Sequence, residues 1–307
     1  MAVILSLRRI HILVKYHDKD MDPSQAQDDC HNKRTTTMTT PTIAIIGTGN
    51  MGHCIINGLI ANGHPYEKLW ASDPSIEKLE QMQKKFRIML TTDNKEAIRH
   101  ADIVILAIKP QVFLDVLKEI RALLNTSHPL IISIAAGIKT TTIQRYLENH
   151  PAIVRCMPNV AAFISCGATG LYANPHVSTK QRDMAESIMR ALGMIVWLEQ
   201  ESHMDIVTAL SGSGPAYFFL IMECLQAAAE RLGLESETAK LLTLQTALGA
   251  ARMALESGES LHALRQQVTS PGGTTEKGVE VLQQAKIDQL FFAVLQAAKQ
   301  RAEELEK

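Results

Sequence analysis

Apolar residues beyond residue 41 alternate between short continuous runs and the three-to-four-residue spacing of amphipathic helices. Each run has the length of a strand and is separated from the next by a polar or helix-like segment. Strands that are apolar on both faces and joined through helices are typical of a parallel sheet covered on both sides. The pattern therefore predicts an α/β fold with a doubly wound parallel sheet. The runs are TIAIIG, KLWASD, ADIVILAI, PLIISIAA, AIVRCMPN and MIVWLE.

The pattern changes at about Met204. From there helical spacing dominates, and breaks such as GSGP, LGLESE, ESGES and SPGG divide the chain. We therefore predict an α/β domain over residues 41–200 and an all-helical domain over residues 201–307. Residues 1–40 are predicted to be a disordered or non-native extension, because the segment before the first strand has too little apolar surface to offset the entropy of ordering.

Composition and charge narrow the possible functions. The 307 residues are 46% apolar with a formal net charge of −1, so electrostatics give no reason to expect binding to nucleic acid or to an anionic membrane. No apolar run approaches the roughly 20 residues that span a bilayer. The five cysteines lack CxxC spacing, which predicts reduced thiols, no metal site and a cytoplasmic protein.

The first apolar run leads directly into a glycine cluster, IGTGNMG. Gly47, Gly49 and Gly52 form a GxGxxG motif between a predicted strand and a predicted helix. In that position the first glycine permits a tight turn, the second lets a pyrophosphate approach the backbone, and the third lets helix and strand pack closely. The motif predicts a Rossmann-type dinucleotide-binding domain that uses NADPH or NADH.

The end of the second strand bears on the choice between these cofactors. Asp73 lies 21 residues after Gly52, near the spacing of about 20 at which a carboxylate meets the ribose 2′-hydroxyl of NADH. Asp73 could equally cap the helix that follows, and Ser72 could hydrogen-bond a 2′-phosphate. The sequence leaves the preference open.

A second glycine cluster, VTSPGGTT, follows more than two hundred residues later. Ser270, Gly272, Gly273, Thr274 and Thr275 supply hydroxyls and backbone amides at a predicted helix start, which suits a small carboxylate. The alternative is an ordinary turn between helices, where Pro and Gly are common for conformational reasons.

The segments TALSGSGPAYFF and QQVTSPGGTTEKGVEVL, together with IGTGNMG, AIKPQ and RCMPN, resemble the pyrroline-5-carboxylate reductase family. The resemblance extends from residue 42 to the C-terminus. It implies hydride transfer from NADPH or NADH to the C=N bond of 1-pyrroline-5-carboxylate, which gives L-proline in the last step of proline biosynthesis. It also implies that Thr275 is the catalytic hydroxyl on the ring nitrogen, and that Ser270 with the amides of Gly273 and Thr274 holds the carboxylate.

The same resemblance implies a set of cofactor contacts at the ends of the predicted strands. Val160-Ala161 replaces the Thr-Pro that usually follows MPN in this family, which alters the loop beside Asn159. The implied cofactor residues are Ile46, Gly47, Thr48, Gly49, Asn50, Met51, Gly52, Ser72, Asp73, Asn94, Ala107, Ile108, Lys109, Pro110, Ala135, Ala136 and Gly137. Taken alone, Asn94 could be a helix cap and Lys109-Pro110 an ordinary strand exit.

The helical domain also carries an expectation about assembly. The segment PAYFFLIMECLQAAAERLGL is apolar on nearly every face, more than one small bundle can easily cover. A monomeric core could accommodate such a helix at its centre. The family resemblance instead implies a dimerisation domain, with homodimers that assemble further into rings, and we expect a decamer.

Two other functions are compatible with a glycine-rich α/β domain followed by helices. A β-hydroxyacid dehydrogenase would need a catalytic lysine on the first interdomain helix, but the stretch after SGSGPAY has none before Lys240. A non-catalytic dinucleotide sensor would have no need for the cluster from Ser270 to Thr275.

Overall fold

The computed structural model describes residues 40–148 and 150–305. The predicted N-terminal extension lies, apart from Thr40, outside the described residues. Thr40–Lys307 group into one unit, which contains both the α/β part and the helical part.

The α/β part is built on one eight-stranded sheet in the order β3-β2-β1-β4-β5-β6-β7-β8. Strands β1 to β6 are parallel, β7 is antiparallel to β6, and β8 is parallel to β7. The order of the first six is that of the Rossmann dinucleotide-binding fold. The strands are β1 Ile43–Ile46, β2 Leu69–Ser72, β3 Met89–Thr91, β4 Ile103–Leu106, β5 Leu130–Ser133, β6 Ile153–Met157, β7 Gly167–Ala173 and β8 Gly193–Trp197.

The predicted fold class is confirmed, but the expectation of a wholly parallel sheet needs correction at one edge. Only a short 3₁₀ segment, Val160–Ile164, joins β6 to β7. That connection holds no crossover helix, so the chain turns back and pairs antiparallel. Strands β3 and β7 also escaped prediction, because β3 is short and partly exposed and the sequence of β7, GATGLYA, is glycine-rich and only weakly apolar.

Among the described residues, six helices accompany the sheet and cover its two faces. Strand β1 shows why both faces need cover, since Ile43 and Ile45 belong to one apolar core while Ala44 and Ile46 belong to the other. A strand buried on both sides must be apolar at every position, which is the pattern of the sequence. These helices are α1 Asn50–Ala61, α2 Ile76–Gln83, α3 Asn94–Ile98, α4 Pro110–Ser127, α5 Thr140–Tyr146 and α6 Thr179–Arg190.

The remainder of the described chain is helical, as predicted. A π-helical turn, Thr208–Gly212, separates α7 from α8, and the C-terminal helix α12 packs on this turn and on α7. The helices are α7 Met204–Val207, α8 Gly214–Arg231, α9 Ser236–Ser257, α10 Leu261–Gln267, α11 Thr274–Gln284 and α12 Ile287–Glu304.

Helices α8 and α9 pack together and leave large apolar side chains in contact with solvent. Phe218 and Phe219 on α8 are 64% and 62% exposed, and Leu248 on α9 is 61% exposed. The helical run Glu201–Arg231 is also long and apolar enough, by length and composition alone, to cross a membrane. The expectation that no run reaches that length is therefore wrong, because helix continues through the Ser-Gly-Ser-Gly break.

Candidate active site at the carboxyl edge of the sheet

The glycine-rich loop between β1 and α1 is shaped by three different requirements. Gly47 has φ +98°, and a Cβ there would lie 2.5 Å from the carbonyl oxygen of Ala107. At Gly52 a Cβ would lie 2.2 Å from the carbonyl oxygen of Gly47, so only glycine lets α1 approach the loop. At Gly49 a Cβ would meet no protein atom within 4 Å. Packing therefore explains the first and third glycines, and open space for a ligand accounts for the second.

The start of helix α1 faces this open space with unsatisfied donors. Gly49 is the N-cap, no side chain caps the helix, and its first turn holds no acidic residue. The first amides of any helix have no acceptor within it, and the helix dipole adds partial positive charge there. The loop thus has the geometry and the electrostatics of a pyrophosphate site.

Asp73, which follows β2, is occupied by the loop itself. Its Oδ2 accepts hydrogen bonds from the amide and the hydroxyl of Thr48, each at 3.0 Å, and Lys78 Nζ lies 3.4 Å from the same oxygen. Burial acts to raise the pKa of Asp73, but the hydrogen bonds from the Ser75 and Thr48 amides and the Thr48 hydroxyl, with the charge of Lys78, bring that pKa below its usual value. Asp73 therefore stabilises the conformation of the glycine-rich loop through Thr48.

Neighbouring contacts resolve two of the alternatives raised by the sequence. The cap of α2 is Ser75, whose hydroxyl accepts from the Lys78 amide, so Asp73 is not the cap itself. The cap of α3 is likewise Asp93, not Asn94. Asn94 instead accepts a 2.7 Å hydrogen bond from the fully buried Ser72, which brings two of the predicted cofactor residues together.

The remaining predicted cofactor residues follow β4 and β5. Lys109 and Pro110 open helix α4 directly after the β4 exit, and the turn Ala135–Gly137 follows the end of β5. Since β1, β2, β4 and β5 run parallel, their carboxyl ends share one edge of the sheet. The order reverses between β1 and β4, and ligands of open α/β sheets bind at such a switch point.

The second glycine cluster forms a turn that leads into helix α11. The Gly273 amide donates to the Ser270 carbonyl at 3.0 Å, and the Gly272 amide donates to Glu276 Oε2 at 2.8 Å. The Gly273 amide, predicted to hold a carboxylate, is thus already engaged in the turn. Helix α11 has no side-chain cap, which leaves the amides of Thr274 and Thr275 available.

The side chains of the predicted substrate loop, residues 270–275, are exposed within a single chain. In the part of the chain that the structure describes, the hydroxyls of Ser270, Thr274 and Thr275 have no hydrogen-bond partner. Helix α11 packs against α12, and no hydrogen bond or ion pair among residues 40–148 and 150–305 joins the loop to the sheet. The two glycine clusters are not bonded to each other within one chain.

Sequence reasoning missed a buried ionic cluster between the sheet and the helical part. Arg155 on β6 is 2% exposed, and its guanidinium lies 3.4 Å from both Glu201 and Asp205. The signal was a single arginine inside the apolar run AIVRCM, because a buried charge requires partners. Asn159 adds a further tie, donating from Nδ2 to the Ser211 carbonyl of the π-helical turn at 3.0 Å.

The fold and the open glycine-rich loop define the class of dinucleotide-binding Rossmann proteins. A family model described as NADP oxidoreductase, coenzyme F420-dependent, matches residues 42–137, and one described as pyrroline-5-carboxylate reductase dimerisation matches residues 201–305. The pyrroline-5-carboxylate reductase of Pseudomonas aeruginosa is 46% identical over 268 residues, 87% of this chain and 98% of the relative. The chain belongs to the pyrroline-5-carboxylate reductase family.

Other relatives and solved structures agree with this assignment. The Vibrio alginolyticus pyrroline-5-carboxylate reductase is 41% identical, covering 86% of this chain and 97% of the relative. A Coxiella burnetii pyrroline-5-carboxylate reductase structure is 48% identical with a TM-score of 0.84, covering 87% of this chain and 99% of that one. The Plasmodium falciparum pyrroline carboxylate reductase, solved with NADP bound, is 29% identical with a TM-score of 0.77, at 87% and 98% coverage. The family assignment sets aside the β-hydroxyacid dehydrogenase and sensor alternatives.

Proposed function

We propose that this protein reduces 1-pyrroline-5-carboxylate to L-proline with NADPH or NADH. The carrying observation is the pair of uncapped helix starts: one beside open space at Gly49, the other beside the free hydroxyls of the substrate loop. The first suits a pyrophosphate and the second a small carboxylate. Membership of the reductase family selects this substrate among small carboxylates.

The chain's own groups mainly bind and orient. The α1 amides hold the pyrophosphate, while Ser72 and Asn94 bind the adenosine ribose side. The residues after β4 and β5 bind along the nicotinamide half of the cofactor. When bound, the reduced nicotinamide supplies the hydride. In the substrate loop, Ser270 and the Thr274 amide hold the carboxylate, a role in which the free Thr275 amide replaces the engaged Gly273 amide.

The reduction requires little acid–base chemistry from the protein. The imine carbon, C2 of the pyrroline ring, accepts the hydride, the π electron pair of the C=N bond moves to the nitrogen, and the nitrogen keeps the proton of the protonated imine. The Thr275 hydroxyl is the catalytic group that hydrogen-bonds this nitrogen. Orientation of two bound ligands is the main source of rate.

We further propose that the exposed apolar surface of α8 and α9 is covered by a second copy of the chain. The dimerisation family model covers both helices, and their exposed Phe and Leu side chains form a surface typical of protein interfaces. A partner copy would also bring its substrate loop close to the glycine-rich loop of the first chain. Within one chain these two loops are not bonded to each other. Assembly into a decamer and a cytoplasmic location belong to the same proposal.

The choice between NADPH and NADH depends on the Asp73 carboxylate, which is already hydrogen-bonded within the protein. Since its carboxylate is turned to Thr48, Ser75 and Lys78, it does not present a free charge against a 2′-phosphate. We therefore expect both NADPH and NADH to be accepted.

The test is turnover of purified protein with pyrroline-5-carboxylate and each reduced cofactor, followed by loss of nicotinamide absorbance. We expect Thr275→Val to lower kcat by about 10-fold or more, as for loss of one positioned hydrogen bond to the reacting group, and Thr275→Ser to retain most of it. No substrate-dependent oxidation by the wild-type protein would refute the function. Equal rates for Thr275→Val and wild type would refute the role of Thr275 alone.

Assembly is tested by sedimentation. Phe219→Asp, placed on the exposed face of α8, should shift the protein to monomers and abolish turnover. Tyr66→Asp, at an exposed position just before β2 and therefore at the opposite edge of the sheet from the cofactor loops, should change neither. An unchanged sedimentation coefficient for Phe219→Asp would contradict the proposed interface.

A further inference from the structure

Glu201, the first residue of the helical part, is bonded to the dinucleotide-binding part. Its Oε1 accepts from the amide of Thr140 and its Oε2 from the hydroxyl of Thr140, both at 2.7 Å. Thr140 is buried and begins helix α5. The two bonds fix both oxygens of one carboxylate on one residue, a bidentate arrangement that leaves little rotational freedom.

Arg155 holds the same carboxylate from the neighbouring strand. Its guanidinium lies 3.4 Å from Glu201 Oε1 and 3.4 Å from Asp205 on α7. In the sheet Arg155 is in register with Ser133, the last residue of β5. The cluster therefore lies beside the exit of β5, and its charges are paired in a site from which water is largely excluded.

Between Ser133 and Thr140 the chain forms the β5–α5 loop, residues 134–139, which contains the predicted nicotinamide-side turn Ala135–Gly137. A second contact from the helical part reaches this loop. A Cβ at Gly137 would lie 3.2 Å from the backbone of Leu305, which follows the end of α12. The helical part thus holds the loop at Gly137 and at its end, Thr140.

We propose that Glu201, acting through Thr140, is a positioning residue that sets the β5–α5 loop against the nicotinamide half of the cofactor. The inference rests on the proposed reductase function. A residue of the dimerisation part thereby controls the cofactor side of the reaction. Displacement of reacting atoms by about 1 Å can cost about 100-fold in rate, so loss of one anchor of this loop should slow hydride transfer.

The test compares Thr140→Val with Thr140→Ser and with a matched control. Thr141→Val places the same substitution on the exposed neighbour of Thr140 in helix α5. Thr140→Val removes one of the two bonds to Glu201 and keeps the side-chain shape. We expect about a 10-fold lower kcat, a higher KM for NADPH, and a larger primary isotope effect with cofactor deuterated at the transferred position.

The other variants and parameters should stay close to wild type. Thr140→Ser and Thr141→Val should keep kcat and the isotope effect, and the KM for pyrroline-5-carboxylate should change less than about twofold in all three, because the substrate loop is not touched. A purely structural role would lower the unfolding temperature of Thr140→Val without changing its isotope effect, and that result would overturn the proposal.

Glu201→Gln provides a second variant, which keeps the size of the side chain but removes its charge and one of the two oxygens that accept from Thr140. It should show the same split between cofactor and substrate parameters. Fluorescence titration with NADPH needs no turnover, so weaker NADPH binding by Thr140→Val can be measured even if the wild-type protein fails to reduce the imine. Failure of the loop inference and failure of the reductase function are therefore distinguishable.

Discussion

Replacing Gly49 and Gly52 separately by alanine should divide binding from stability within one loop. At Gly52 the new methyl would lie 2.2 Å from the Gly47 carbonyl oxygen, so helix α1 must shift away from the loop. Overpacking of this kind costs about 1–3 kcal/mol, and the short contact with rigid backbone places the cost of Gly52→Ala at about 3 kcal/mol. With an unfolding entropy of about 2.1 cal/mol/K per residue, a loss of about 3 kcal/mol in a chain of 307 residues lowers the Tm by about 5 °C.

Gly49→Ala should behave in the opposite way. Its φ of −65° suits alanine and the methyl meets no protein atom within 4 Å. Loss of the glycine N-cap costs about 0.5–1 kcal/mol, and the lower entropy of the unfolded chain offsets about 0.4–1 kcal/mol. Stability should thus change little. The methyl would separate the pyrophosphate from the α1 amides and weaken NADPH binding by about 10-fold or more, or about 1.4 kcal/mol.

The assay pairs thermal unfolding at one fixed protein concentration with fluorescence titration by NADPH. Fixed concentration matters because assembly stabilises the folded chain. Gly63→Ala, in the αL region with φ +83° and no protein atom near its Cβ, serves as a control for backbone strain alone. Wild-type affinity in Gly49→Ala, or wild-type stability in Gly52→Ala, would refute the division of roles among the three glycines.

Three further predictions concern charged residues. Asp73→Asn should lower the free energy of unfolding by about 1.5–3 kcal/mol at neutral pH. Because the pKa of Asp73 is lowered in the folded state, this loss of stability should be full above about pH 4 and should vanish as the pH falls through the lower pKa. Urea unfolding of both proteins across this pH range checks the prediction. Lys78→Ala should raise the KM for NADPH more than that for NADH, since Lys78 is the cation beside the end of β2, and equal effects would contradict this. Arg155→Met removes the buried cation that pairs with Glu201 and Asp205, and it should lower the free energy of unfolding in urea by about 3–5 kcal/mol. A variant as stable as the wild type would show that the cluster is not needed for folding.

Much of the candidate site could be predicted because its signals are local. The GxGxxG spacing places Gly47, Gly49 and Gly52 between one strand and one helix, and the structure supplies a separate physical reason for each. Asp73 was located by the same local logic, yet its partners were not. Whether a carboxylate faces a ribose or turns back to Thr48 depends on side-chain directions that sequence spacing leaves undetermined.

The ionic cluster of Arg155, Glu201 and Asp205 shows more clearly what the sequence alone does not predict. Arg155, Glu201 and Thr140 are far apart in the chain and come together only because β6 lies beside β5 while the helical part folds back on this edge. The isolated arginine within an apolar run indicated that a buried partner of opposite charge was needed. Its identity depended on long-range packing.

The sequence by itself determined six of the eight strands, the change from sheet to helices and the positions of the two glycine-rich loops, because apolar periodicity and glycine spacing act over a few residues. Only the tertiary structure decided the reversal at β7, the partners of Asp73 and Arg155, and the exposure of the α8 and α9 surface. Those features depend on which distant segments meet, and that is decided by the free energy of the whole packed chain.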